Sequence, residues 1–85
     1  MSEDNRLARL AAFIQQNLSK DPRRTLEPDT ALISSGLIDS LSLISVLAFI
    51  EDEFAVVIPD EAATASAMNT IRQIDELISA YASTS

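Results

Sequence analysis

The segment Asp39-Ser40-Leu41 places a carboxylate beside a hydroxyl, shortly after Gly36, the only glycine of the chain. A nucleophilic serine needs a general base, commonly His or Lys, and a preformed pocket. The chain has no histidine, its only lysine is Lys20, and no G-x-S-x-G sequence occurs. The sequence therefore predicts that Ser40 does not act as a catalytic nucleophile by its own means.

Three adjacent carboxylates, Glu51, Asp52 and Glu53, are the second group that could do acid–base chemistry. Consecutive residues of a helix point in different directions, so these groups do not converge on one substrate. Without cysteine or histidine, thiolate catalysis, disulfides and the usual zinc sites are also excluded. The sequence predicts a protein that is not an enzyme and that holds no metal.

The charge of −7 is unevenly distributed. Residues 1–24 carry five cations and three acids, whereas residues 25–85 carry ten acids and one cation. An acidic body repels phosphates and disfavours nucleic acid, and it favours partners with basic surfaces. The acidic charge alternatively serves only solubility. The N-terminus is acidic, no apolar run approaches ~18 residues and cysteine is absent, so we expect a cytoplasmic protein with no membrane segment. We also expect it to be a monomer.

Hydrophobic spacing predicts an all-α fold, a small four-helix bundle with a long loop between helices one and two. Apolar side chains should pin that loop, over residues 19–39, onto the bundle. Gly36 should provide a backbone conformation that other residues disfavour. Thr70 and Gln73 have the spacing of a capping box. We expect one domain over residues 1–85, with three longer helices and one short helix at about 3–18, 40–54, 61–67 and 70–82.

Helix two has an apolar arc wider than one helix needs to cover a core. Asp39 or Ser40 should be its N-cap. The helix is either nearly enclosed, or one apolar flank remains for a partner. Phe49 lies on the polar side of the helical wheel. It is either a contact for a partner or a lone exposed aromatic residue. On the wheel, Leu43, Leu47, Ile50 and Phe54 centre one side, and Val46 lies on a flank of the apolar arc.

Residues 29–78 resemble the acyl carrier proteins and peptidyl carrier proteins. The shared features are a D-S-L motif reached through Gly-Leu-Ile, an E-D-E-F helix end, a following I-P-D-E, and a final T-I-x-x-I-x-x-L-I helix. The resemblance implies that a separate phosphopantetheinyl transferase attaches 4′-phosphopantetheine from coenzyme A to Ser40. It also implies a thioester-carrying role, with Asp39 and Leu41 beside the attachment residue. The structural alternative is that Asp39 and Ser40 only cap the helix.

The resemblance further implies a face that docks onto activating ligases and synthases with basic or apolar surfaces, formed by Leu41, Ile44, Ser45, Ala48 and Glu51. It implies in turn that Leu43, Val46, Leu47, Ile50 and Phe54 are mainly core. Alternatively, Leu41 and Ile44 pack inward beneath the long loop. Carriers of fatty-acid synthesis typically have acids after D-S-L and in mid-helix, where this chain has Ser42 and Ser45.

Three functions follow as expectations. The first is a stand-alone acyl carrier protein in fatty-acid, polyketide or related specialised-metabolite synthesis. The second is an aminoacyl or peptidyl carrier, loaded by an amino-acid-activating ligase, as in nonribosomal peptide synthesis. The third belongs to another class, an acidic helical adaptor that is never modified.

Overall fold

The computed structural model describes the chain over residues 3–21 and 23–82, and this part contains three α-helices and no strand. Helix α1 spans Glu3–Asn17, α2 spans Leu43–Phe54, and α3 spans Ile71–Ala82. A 3₁₀ turn, Ser40–Ser42, leads directly into α2. The prediction of an all-α fold is confirmed.

The four-helix count is not confirmed, because residues 61–67 form separate turns. The Ala67 N–H donates to the backbone oxygen and to the hydroxyl of Thr64, at 3.1 and 3.2 Å. A threonine side chain that bonds a nearby N–H competes with helix formation. The small side chains here bury little apolar surface that would favour a helix over turns.

The core lies between the three helices and the long loop. On α3, Ile71, Ile74 and Ile78 are almost fully buried, and Leu77 and Tyr81 are half-buried against the core. Helix α1 packs against α3 and adds Leu10 and Ile14 to the core. The fully or nearly fully buried apolar side chains are Leu10, Ile14, Leu26, Leu32, Leu37, Ile38, Leu43, Val46, Ile50, Val56, Ile58, Met68, Ile71, Ile74 and Ile78.

The long loop is pinned as predicted. Its side chains Leu26, Leu32, Leu37 and Ile38 are buried, and Ile33 packs against the core. The Leu32 N–H donates to the Asn69 carbonyl at 2.7 Å, and the Arg72 N–H donates to the Pro28 carbonyl at 2.9 Å. The loop is thereby attached to the start of α3.

Phe49 packs against aromatic rings of α1 and α2. Its ring stacks on Phe13 of α1 with centroids 4.2 Å apart, and it meets the edge of Phe54 at 5.9 Å. Phe49 is half-buried and joins α2 to α1. Offset and edge-to-face aromatic pairs stabilise such contacts beyond their buried area. The alternative of a lone exposed aromatic is therefore wrong, because the Phe49 ring packs on two other rings.

No helix within the described residues is long and apolar enough to cross a membrane.

Candidate functional site

Ser40 is exposed at the surface, and the backbone that precedes it is anchored by buried side chains. Gly36 adopts φ +82°, the left-handed conformation that favours glycine, and an added Cβ would meet nothing within 4 Å. The predicted role of Gly36 is confirmed, and the requirement is conformational rather than steric. Leu37 and Ile38 then turn into the core, and the chain emerges at Asp39 and Ser40, both exposed.

The helix start at Ser40 is open, in the sense that no side chain caps its backbone N–H groups. Asp39 occupies the N-cap position with extended backbone, φ −86° and ψ 155°, but its side chain makes no capping hydrogen bond. Ser40 lies one residue inside, as the first residue of the 3₁₀ turn. Among the described residues, the Ser40 hydroxyl and the N–H groups of Ser40 and Leu41 have no hydrogen-bond partner. Asp39, and not Ser40, therefore occupies the N-cap position. Neither side chain makes a capping hydrogen bond to the backbone.

The Asp39 carboxylate instead accepts a hydrogen bond from Lys20 Nζ at 2.7 Å, between two side chains that are both more than half exposed. The Lys20 backbone N–H donates to the Leu37 carbonyl at 2.9 Å, so Lys20, three residues after the end of α1, is fixed against the segment that leads to Ser40. Sequence reasoning missed this contact. The only signal was that Lys20 is the single lysine, in the basic N-terminal part of the chain.

All five residues of the predicted partner face are exposed, on the 3₁₀ turn and α2. Leu41 is 77% and Ile44 68% exposed, so the alternative that they pack inward is wrong. Large apolar side chains this exposed and this close together are candidates for a binding surface. On the opposite side, Leu43, Val46 and Ile50 are buried and Leu47 and Phe54 are half-buried, as expected for the core side.

The acidic triplet at the end of α2 does not form a convergent site. Glu51, Asp52 and Glu53 are all exposed, and Glu53 accepts a hydrogen bond from Arg9 of α1 at 2.8 Å. Within the described part of the chain, no group of three acidic, His or Cys side chains could hold a metal ion.

A family model described as "phosphopantetheine attachment site" matches residues 8–78. The search of curated proteins found no match. Since the matched span covers most of the chain, the protein belongs to the phosphopantetheine attachment family. This family carries 4′-phosphopantetheine covalently, and its members interact with phosphopantetheinyl transferases and with synthases or ligases. The predicted family and cofactor are confirmed.

The open helix start fits this group. A serine that accepts a phosphodiester must have an accessible hydroxyl, and Ser40 has one that is engaged with no described residue. The unpaired N–H groups at the start of a helical segment also favour negative charge. Ser40 lies within the matched span, on the exposed side of a backbone anchored by Leu37 and Ile38.

Proposed function

We propose that the protein carries an acyl group as a thioester on 4′-phosphopantetheine attached to Ser40, and passes it between enzymes of fatty-acid, polyketide or related synthesis. The observation that carries this proposal is the free, exposed hydroxyl at an open helix start within the family match. The attached group supplies the thiol that a cysteine-free chain lacks. Residues 1–85 act in this proposal as one carrier domain.

The chain itself acts as a substrate of the transferase and catalyses no step. Attachment forms a bond between Ser40 Oγ and the phosphorus of the phosphopantetheinyl group, and breaks the pyrophosphate bond of coenzyme A. Adenosine 3′,5′-bisphosphate leaves, and the hydroxyl proton passes to a base of the transferase. The chain has no histidine to serve as that base, and Lys20 is bonded to Asp39.

The exposed face of the 3₁₀ turn and α2 docks the carrier onto its partners. Leu41 and Ile44 supply apolar contact beside the attachment residue, while Glu51 adds an acid farther along α2. Ser45 and Ala48 lie between them and are also exposed. This order fits an enzyme surface with an apolar recess flanked by basic side chains, since complementary charge speeds and orients encounter.

Intact mass spectrometry tests the proposal. Protein incubated with coenzyme A, Mg²⁺ and a promiscuous phosphopantetheinyl transferase should gain one phosphopantetheine, and Ser40→Ala should gain none. Ser42→Ala is the matched control and should be modified fully, because Ser42 lies two residues farther along the same turn. Absence of a gain on folded, initially unmodified wild type would contradict the carrier function and favour the unmodified adaptor.

An aminoacyl or peptidyl carrier is the second candidate, favoured by the closed core beneath Ser40. Ile38, Leu43 and Val46 are at most 5% exposed, so a long acyl chain would have to open the bundle. An aminoacyl group would not need that opening.

Loading the arm with different cargo distinguishes the two carriers. The transferase can attach octanoyl-phosphopantetheine from octanoyl-coenzyme A or glycyl-phosphopantetheine from glycyl-coenzyme A. Shifts of the Leu43 and Val46 methyl NMR signals with the octanoyl form alone would show that the core admits the chain, and would favour the acyl carrier. Unchanged methyl signals in both forms would favour the aminoacyl carrier.

A further inference from the structure

The ammonium group of Lys20 lies beside the residue that precedes Ser40. Its Nζ donates to Asp39 Oδ1 at 2.7 Å. We propose that Lys20 binds the phosphodiester of the arm carried by Ser40, as a contact of the chain with its cofactor. The inference rests on the proposed attachment to Ser40 and adds a binding residue from outside the D-S-L motif.

The backbone around Lys20 is fixed while its side chain remains accessible. Its N–H donates to the carbonyl of the buried Leu37 at 2.9 Å. The flanking turn is closed by Ser19, whose hydroxyl donates to the Asp21 carbonyl at 3.1 Å and accepts from the Asp21 N–H at 3.2 Å. The Lys20 side chain is 59% exposed, so the ammonium N–H groups that do not bind Asp39 are accessible to a neighbouring anion.

Attachment places a second negative charge at this point of the surface. The phosphodiester on Ser40 carries one negative charge directly beside the Asp39 carboxylate, and two like charges at short range disfavour each other. A lysine ammonium has three N–H donors, and Asp39 occupies one of them. Lys20 can therefore hold the carboxylate and the phosphodiester together and offset their repulsion.

Within the described residues, no cation other than Lys20 bonds Asp39. Arg6, Arg9 and Arg72 each pair with an acid elsewhere in the bundle, namely Asp75, Glu53 and Asp29. Arg23 and Arg24 are exposed, close to Lys20 in the chain, and make no ion pair within the described residues. They provide nearby positive charge without a bond to Asp39, which makes Arg23 a matched control.

³¹P NMR of the modified protein tests the inference directly. Wild type, K20Q, K20R and R23Q are each converted to the phosphopantetheinyl form, and the same samples unfolded in urea give the ³¹P shift of an unconstrained arm. K20Q should move the folded-state signal toward the unfolded position, K20R should restore most of the wild-type shift, and R23Q should leave it unchanged. Coincident signals from wild type, K20Q and R23Q would overturn the inference.

A double variant separates direct binding from an effect through Asp39. If Lys20 contacts the phosphodiester, adding K20Q to D39N should still move the ³¹P signal toward the unfolded position. Loss of the K20Q effect in the D39N background would overturn the direct contact. A mass gain with an unchanged ³¹P signal would overturn only the role of Lys20, whereas no mass gain in wild type would overturn attachment and this inference together.

Discussion

Two helix starts in this small bundle are built in opposite ways. At α3, the Thr70 N–H donates to Gln73 Oε1 and the Gln73 N–H donates to the Thr70 hydroxyl, both at 3.1 Å. At Ser40, the N-cap residue Asp39 makes no such bond and turns its carboxylate to Lys20. The first start satisfies its own backbone groups and supports the fold. The second leaves a hydroxyl and backbone N–H groups available for modification.

The apolar residues at these two helix starts also differ in their exposure to solvent. Ile71, the first residue of α3, is 1% exposed, whereas Leu41, the second residue of the 3₁₀ turn, is 77% exposed. Burial at α3 contributes to stability, and exposure at the 3₁₀ turn leaves apolar surface for a partner. The comparison separates a structural helix start from a functional one.

The largest stability effect should come from truncating Ile71. Ile71→Ala should lower the free energy of unfolding by about 2–5 kcal/mol, because it removes buried methyl groups and leaves a cavity. Leu41→Ala should change it by less than about 0.5 kcal/mol, since its side chain is already in water. Urea denaturation followed by circular dichroism measures both. Similar losses for the two variants would contradict the contrast in burial.

Removing the cap at α3 should have an intermediate effect. Thr70→Ala should cost about 1 kcal/mol, because the Gln73 N–H loses its side-chain acceptor. Asp39→Ala should cost no more than about 0.5 kcal/mol, since it removes only an exposed ion pair. Thr25→Ala, at an exposed threonine of the long loop, measures the cost of a threonine-to-alanine change where no helix start is involved. Equal costs for Thr70 and Asp39 would show that both helix starts are capped.

The smallest effect should come from Asp29, which links the long loop to α3. Its carboxylate accepts two hydrogen bonds from the Arg72 guanidinium, at 2.8 and 3.3 Å. This hydrogen bonding lowers the pKa of Asp29 below its ordinary value, and the charge of Arg72 adds to the shift. The stabilisation is therefore present above the pKa of the unfolded chain and is lost as the pH falls through the lower, folded-state pKa.

Asp29→Asn should accordingly reduce stability slightly at neutral pH and leave it unchanged where carboxyl groups are protonated. Urea denaturation at neutral pH and at a pH where carboxyl groups are protonated measures the change in the free energy of unfolding. Glu76→Gln, at an exposed position of α3, is the control. A cost for Asp29→Asn that persists in acid would mean that the Arg72 pair does not cause it.

Local patterns predicted much of this molecule. Period-3.6 spacing identified the three helices, and the spacing of Thr70 and Gln73 identified the capping box that the structure contains. Apolar residues in an otherwise irregular loop, such as Leu26 and Leu32, predicted burial because exposing them would forfeit hydrophobic free energy. The motif around Ser40 predicted the family.

Features that depend on distant parts of the chain were not predictable in this way. A helical wheel of α2 contains no information on Phe13 of α1, so it could not show that Phe49 is covered. The bond between Lys20 and Asp39 joins residues 19 positions apart, and it arises only when the loop folds back. In residues 61–67, the good helix propensity of alanine was outweighed by the turn at Thr64.

The central claim is that the open helix start makes Ser40, among its neighbouring serines, the residue that is modified. Tandem mass spectrometry of the phosphopantetheinylated protein can locate the group within a peptide containing Ser34, Ser35, Ser40, Ser42 and Ser45. We predict that the added mass resides on Ser40 alone. Its localisation on any of the other four would contradict the account.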